Sequence, residues 1–311
     1  MKKNIIYNQD CYKGMKKLPE KSIDLTVTSP PYFNARDYSS WETFRDYMAD
    51  MKKIFNEVYR TLKNHKVLVL NVGDIVSKGS KESMWAKRKY PLGSYFTTML
   101  IDIGFEFVDD YIWNKGEPQS KRHLGNPPYP FYQYPINVYE HILVFHKHEL
   151  DKTKIPCPVC GETITYSNSQ TEKGVQSWEC KNPDCSQKSP SGRGKRFSKR
   201  SIMMNKYQKP ENKIDKKLIK KWRKDIVGIN PVIKINSKKE NLLGHTAPFP
   251  MEIPNMAINF FSGIYDLVND PFMGSGTTAI SAIKNDRKYI GFELNKEYYD
   301  LAKNRIEQSK N

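Results

Sequence analysis

The chain has 311 residues, 38% of them hydrophobic, and a net charge of +17. Such a length holds one large core, or one catalytic domain with a smaller insert. No apolar run approaches the ~18–20 residues of a membrane span, and the two lysines after Met1 have no long apolar stretch behind them, so neither a transmembrane helix nor a signal peptide is expected. The positive excess points to a polyanionic partner. It is concentrated, since residues 186–240 hold 18 Lys and Arg against 4 Asp and Glu.

In the first 150 residues, strand-like and helix-like patterns alternate. Residues 4–9 contain a short β-prone run, and Ile23-Asp24-Leu25-Thr26-Val27 alternates before a Pro-Pro break, as a strand ending in a loop does. Ser39 and Glu42 fit a capping box. Behind them Phe44, Met48, Met51, Phe55, Val58 and Leu62 step by four and three, one apolar face of a helix of about six turns. Residues 66–72 read as a buried strand, 92–103 as a helix ending at Gly104, and 105–113 and 139–146 as two further strands, with His141 and His146 as strand residues without assigned function.

Near Asp151 the composition changes. Residues 151–241 are cysteine-bearing and then lysine-rich, with weak periodicity, and read as an inserted module. The alternation then resumes, with strands at 264–269 and 288–292 and helices at 276–284 and 296–306. The expected architecture is therefore a doubly wound, mostly parallel α/β sheet, formed by 1–150 and 242–311 and interrupted by 151–241.

Two loops follow predicted strands. Asp270-Pro271-Phe272-Met273-Gly274-Ser275-Gly276-Thr277-Thr278 opens a helix. Its glycines allow a tight turn and close approach of a ligand, and the helix N-terminus adds unpaired N–H groups. Glu293, at the end of the next strand, suits ribose hydroxyls. The turn lacks the lysine of a phosphate-binding loop, so a nucleoside cofactor fits better than ATP or GTP. The second loop, Ser29-Pro30-Pro31-Tyr32 after Thr28, offers the Ser29 hydroxyl and the Pro30 carbonyl as two acceptors for an amino group, with prolines fixing the backbone. Tyr32 offers a stacking face for a base flipped from a duplex. Asn126-Pro127-Pro128-Tyr129 is a look-alike, but no apolar strand precedes it, so it is read as a turn.

Together the two strings resemble the site-specific DNA amino-methyltransferases of the permuted β group, in which the proline loop comes first, then a target-recognition insert, then the cofactor loop. The resemblance implies a Rossmann-like methyltransferase fold and S-adenosylmethionine as methyl donor. It implies a cofactor site formed by Asp10, Cys11, Thr28, Phe249, Pro250, Asp270, Pro271, Phe272, Gly274, Ser275, Gly276, Thr277, Thr278 and Glu293, and catalysis at Ser29, Pro30, Pro31 and Tyr32. Asp10-Cys11 and residues 245–252 look like family segments bordering the cofactor, and Asn71-Val72-Gly73-Asp74 like the strand end after the catalytic one; Thr246 stands where proline is frequent. The serine form of the loop is associated mostly with cytosine-N4 enzymes and the aspartate form with adenine-N6 enzymes. The expected function is cytosine-N4 methylation of double-stranded DNA beside a cognate restriction endonuclease, in a prokaryotic cytoplasm at the nucleoid, by a monomer or homodimer. Adenine-N6 methylation is the alternative, and a catalytically inactive zinc-containing DNA-binding protein the second. Methylation at cytosine carbon 5 needs a nucleophilic Pro-Cys loop, and the one Pro-Cys pair, Pro156-Cys157, belongs elsewhere.

That pair opens a C-x2-C-x19-C-x4-C spacing, Cys157, Cys160, Cys180 and Cys185, which predicts a tetrahedral structural zinc. Downstream, Arg193, Lys195, Arg196, Lys199, Arg200, Lys220, Lys221 and Arg223 are expected to contact DNA phosphates.

Overall fold

The computed structural model describes residues 2–34, 40–76, 89–116, 137–149, 154–163, 165–170, 176–185, 196–232 and 250–309. They form two compact units, Met1–Lys147 with Ile214–Asn311, and His148–Lys213.

The first unit begins with β1 (Ile5–Asn8), α1 (Cys11–Met15), β2 (Ile23–Thr28), α2 (Phe44–Thr61), β3 (Leu62–Val72), β4 (Ile75–Val76), β5 (Lys89–Tyr90), α3 (Leu92–Ile103), β6 (Phe105–Asn114) and β7 (Tyr139–Lys147). The second unit holds β8 (Thr165–Gln170), β9 (Gln176–Cys180), β10 (Arg196–Phe197) and α4 (Lys199–Tyr207). The chain returns to the first unit with α5 (Lys216–Trp222), β11 (Ile226–Gly228), α6 (Glu252–Phe261), β12 (Leu267–Asp270), α7 (Thr277–Lys284), β13 (Lys288–Glu293) and α8 (Lys296–Gln308). Among the described residues no helix is long and apolar enough to cross a membrane.

An eight-stranded sheet in the order β1-β13-β12-β2-β3-β7-β6-β11 forms the centre of the first unit. Only the β3–β7 and β6–β7 pairings are antiparallel; the others are parallel. The mostly parallel α/β sheet expected from the sequence is present. β2 and β12 are buried along their whole length, as parallel strands covered by helices on both faces must be. Residues of α2 and α3, such as Tyr47, Phe55, Val58 and Phe96, join one core. Residues of α6, α7 and α8, such as Met256, Ile280 and Ile306, join the other.

Parallel alignment brings the carboxyl ends of β12, β2 and β3 to one edge. Because β7 runs the opposite way, its first residues reach that same edge: Val72 pairs with His141, and Trp113 with Glu140. One edge thus collects the carboxyl ends of the parallel strands together with the start of β7.

Two sequence expectations change. The cap of α2 is Thr43, whose hydroxyl accepts from the Asp46 amide while Asp46 accepts from the Thr43 amide. Thr43-x-x-Asp46 is as good a capping box as Ser39-x-x-Glu42 and lies directly before the apolar face; Ser39 falls outside the described residues. The second unit also ends at Lys213 rather than 241. α5 and β11 belong to the sheet unit, because β11 pairs with β6 and Trp222, fully buried, packs edge-on against Tyr111 with ring centroids 5.9 Å apart. The lysines around Trp222 masked this anchor.

Truncation of Trp222 to Ala should lower the unfolding free energy of the sheet unit by about 3–5 kcal/mol, read by urea denaturation. A loss below about 1 kcal/mol would place α5 outside the core.

Candidate active site

At this edge a cavity of about 1240 Å³ opens, lined among others by Gln9, Asp10, Cys11, Ser29, Pro30, Pro31, Tyr32, Pro271, Phe272, Gly274, Ser275, Thr277 and Glu293. The glycine turn forms one wall. Gly274 and Gly276 have φ of 52° and 83°, a left-handed backbone that costs glycine nothing. A Cβ on Gly276 would also meet Ala302 Cβ of α8 at 3.2 Å. The turn is therefore packed tightly from behind and leaves its other side to the cavity.

Asp270 sits behind this wall, fully buried. Its carboxylate accepts from the Thr28 hydroxyl at 2.6 Å, the Thr278 hydroxyl at 2.6 Å and the Phe272 amide at 3.0 Å. Burial pushes its carboxyl up to about 6, against those three hydrogen bonds, which favour the ionised form. Thr28, Asp270 and Thr278 thus brace the wall from behind. Glu293 accepts from the Gly274 and Asn295 amides, each at 2.8 Å, and burial raises its carboxyl as well. Asp10 caps α1 by accepting from the Lys13 amide at 2.8 Å. Next to it the Cys11 thiol, pushed up to about 12 by burial, stays protonated. Pro250 is buried at the start of α6, and Phe249 lies outside the described residues.

The proline loop forms the facing wall. Its backbone is anchored where the Tyr47 hydroxyl donates to the Pro31 carbonyl at 3.0 Å. Tyr32 donates its hydroxyl to Glu140 Oε2 at 3.1 Å. Glu140 also accepts from Asn71 Nδ2 at 3.0 Å and from the Lys115 ammonium. Trp113, Lys115, Asn71 and Glu140 line the same cavity. Sequence reading missed Glu140 and Lys115, because the pairing of β6 with β7, not any local spacing, brings them together. The look-alike at 126–129 lies outside the described residues.

In the second unit, Cys157, Cys180 and Cys185 are buried with Trp178 and Phe197. The four cysteine sulfurs lie within 4.8 Å of one another, with Cys157–Cys185 at 3.8 Å and Cys160–Cys180 at 3.6 Å. Four sulfurs bound at about 2.3 Å to one centre stand about 3.8 Å apart, so the donor set fits a tetrahedral metal. The basic residues are split between units. Arg196, Lys199 and Arg200 lie at β10 and α4, whereas Lys220, Lys221 and Arg223 lie at α5, with Lys221 paired to Glu252 at 2.6 Å. Arg193 and Lys195 fall outside the described residues.

The DNA methylase family profile (N6_N4_Mtase) matches residues 23–304. The chain belongs to the DNA methylase family. It is 36% identical over 301 residues to the Type II beta methyltransferase M.BslI of Bacillus sp. (strain NEB-606), covering 95% of this chain but 27% of that protein. The chain therefore spans about a quarter of the length of that relative. In structure it resembles TTHA0409, a putative DNA modification methylase of Thermus thermophilus solved with S-adenosyl-L-methionine, at a TM-score of 0.63 and 21% identity, covering 98% of this chain and 93% of that one. It also resembles PvuII DNA methyltransferase (cytosine-N4-specific), at a TM-score of 0.57 and 18% identity, covering 100% and 91%. These two likenesses concern the fold.

The raised Asp270 carboxyl has a stability consequence. Between its ordinary 3.8 and about 6, the folded chain holds a proton that the unfolded chain releases. The associated stability is full below pH ~4 and is lost as pH rises through ~6, by up to about 3 kcal/mol. In urea denaturation, Asp270→Asn should gain stability relative to wild type between pH 4 and pH 8. A pH-independent difference would contradict a buried charge at this position.

Proposed function

We propose that the chain methylates the exocyclic N4 amine of cytosine in double-stranded DNA, with S-adenosylmethionine as donor. The observation that carries this reading is the cavity shared by the proline loop and the glycine turn. When bound, S-adenosylmethionine supplies an electrophilic sulfonium methyl group. The turn from Pro271 to Thr277 would hold its methionine part, Glu293 its ribose hydroxyls, and the segment at Asp10 and Cys11 its base. On the opposite wall, the Ser29 hydroxyl and the Pro30 carbonyl accept the two N–H bonds of the target amine. This turns the nitrogen lone pair toward the methyl group, and orientation supplies much of the rate. Tyr32 stacks on the flipped base. The same geometry accepts an adenine N6 amine; serine rather than aspartate at position 29 favours cytosine, by likeness to the cytosine-N4 type. M.BslI is a Type II enzyme by name, and we place this chain likewise beside a restriction endonuclease of the same specificity.

The second unit is proposed to hold a structural zinc through Cys157, Cys160, Cys180 and Cys185. Four thiolates leave no open position for water, and the metal staples a unit with a small core. With the basic residues downstream, this unit would contribute contacts to DNA phosphates.

Ser29→Ala should reduce single-turnover methyl transfer by roughly 10²-fold, the scale of losing one oriented hydrogen bond at a reacting centre, with S-adenosylmethionine affinity by calorimetry near wild type. Undiminished transfer would remove Ser29 from the reaction. Wild-type protein should carry about one zinc per chain by elemental mass spectrometry, as expected for one tetrathiolate site. Cys160→Ser should lose most of it and bind DNA more weakly with cofactor affinity intact; a metal-free wild-type chain would refute the site.

A further inference from the structure

We propose that Lys115 reads the ring edge of the target base by donating a hydrogen bond to O2 of a flipped cytosine, with Glu140 as the residue that positions it. This rests on the cytosine-N4 reading above and adds to it a specificity-determining pair outside both sequence motifs.

The pair is built into the cavity wall. Glu140 accepts through Oε2 from the Tyr32 hydroxyl at 3.1 Å and from Asn71 Nδ2 at 3.0 Å. Its other oxygen, Oε1, pairs with the Lys115 ammonium. Its stem is packed against the backbone just past β3, where a Cβ on Gly73 would meet Glu140 Cγ at 2.8 Å. The Lys115 ammonium also lies over the Trp113 ring, 4.8 Å from its centroid. Trp113 is itself fixed, because its indole N–H donates to the Ile229 carbonyl at 2.8 Å. An ammonium carries three donors. Among the described residues, Glu140 is the one hydrogen-bond partner of this ammonium. Its other N–H bonds can serve a ligand in the cavity that Lys115, Glu140, Tyr32 and Trp113 line together.

The chemistry of this wall matches cytosine better than adenine. Beside its amine, cytosine presents N3, and beyond N3 the carbonyl oxygen O2. Adenine presents N1 beside its amine, and beyond N1 only a C2–H. A donor placed beyond the amine therefore finds a partner on cytosine and none on adenine. Lys115 stands in such a place. Its ammonium is linked to the Tyr32 hydroxyl through the Glu140 carboxylate, so a base stacked on the phenol ring brings its edge beside it. Opposite the C2–H of adenine, the ammonium would lose water and gain no acceptor, a desolvation cost that the cytosine carbonyl offsets.

Glu140 sets where the ammonium stands. A lysine is a point charge on a flexible stem, with no directional preference of its own. Pairing to a carboxylate that is held from β3 and from the proline loop confines it. Glu140 acts through Lys115 and is a positioning residue. The contact moves no proton and no electron. It works by orientation, keeping the amine in register with the proline-loop acceptors and the methyl donor.

The test uses the full chain with S-adenosylmethionine under single-turnover conditions, and a synthetic duplex bearing the site at which sequencing finds bacteriophage DNA methylated. In a second duplex the target cytosine is replaced by 2-thiocytosine, whose sulfur is a poor acceptor. Wild type should methylate the second duplex about 10- to 100-fold more slowly, the scale of one base-edge contact. Lys115→Met keeps the stem and loses the donors. It should be slowed by a similar factor on cytosine and no further on 2-thiocytosine, with cofactor affinity by calorimetry near wild type. Glu140→Gln should narrow the ratio between the two duplexes; a wild-type ratio in that variant would overturn its positioning role. Equal wild-type rates on the two duplexes would overturn the proposal without recourse to any variant. So would Lys115→Met losses that multiply with the sulfur substitution, or a weaker DNA affinity in that variant with a shallower salt dependence, which marks a phosphate contact. N6-methyladenine as the only product would sink the cytosine reading itself, and this assignment with it. N4-methylcytosine formed at equal rates with and without Lys115 would sink this assignment alone.

Discussion

A buried carboxylate holds the site together. Asp270 ends β12, and its three hydrogen bonds run to the neighbouring strand end at Thr28, to the first turn of α7 at Thr278, and to the turn itself at Phe272. The proline loop begins one residue after Thr28, and the glycine turn begins at Asp270. One side chain therefore fixes the two walls of the cavity against each other. The cost of burying that charge is visible in its raised carboxyl, and a half-buried acid, Glu293, lies on the same edge. Acids held this way at the carboxyl edge of a parallel sheet are more readily explained by a ligand site than by stability alone.

The reversal of β7 adds what the parallel strands could not. It delivers Glu140 from the start of a strand to an edge otherwise made of strand ends, opposite Trp113 and beside Tyr32 and Asn71. The cavity thus has a cofactor-like wall of glycines and acids, and a second wall of aromatic and hydrogen-bonding side chains suited to a planar base. The small unit, with its four converging sulfurs, is built on different principles: a three-stranded sheet and a cluster of cysteine, tryptophan and phenylalanine serve as its core.

Much of this was legible in the sequence because the signals were local. Apolar runs such as Val67–Val72 mark strands whatever surrounds them, and the Asp270 and Ser29 strings carry their geometry in their glycines and prolines. The cysteine spacing encodes convergence directly. Three features were not local. The cap of α2 had two equivalent spellings four residues apart, and only packing of the helix selects Thr43. β11 is three residues long in a lysine-rich stretch, too short for periodicity, so the end of the insert was placed too late. Glu140 and Lys115 are 25 residues apart, and only the register of an antiparallel pair makes them partners.

The central claim, that one cavity joins a methyl donor to the exocyclic amine of a base, is tested most directly on the product. DNA incubated with the full chain and S-adenosylmethionine carrying a deuterated methyl group can be digested to nucleosides and resolved by mass spectrometry. The account predicts deuterated N4-methyldeoxycytidine. Label found only in 5-methyldeoxycytidine, or in no nucleoside despite binding of cofactor and DNA, would contradict it.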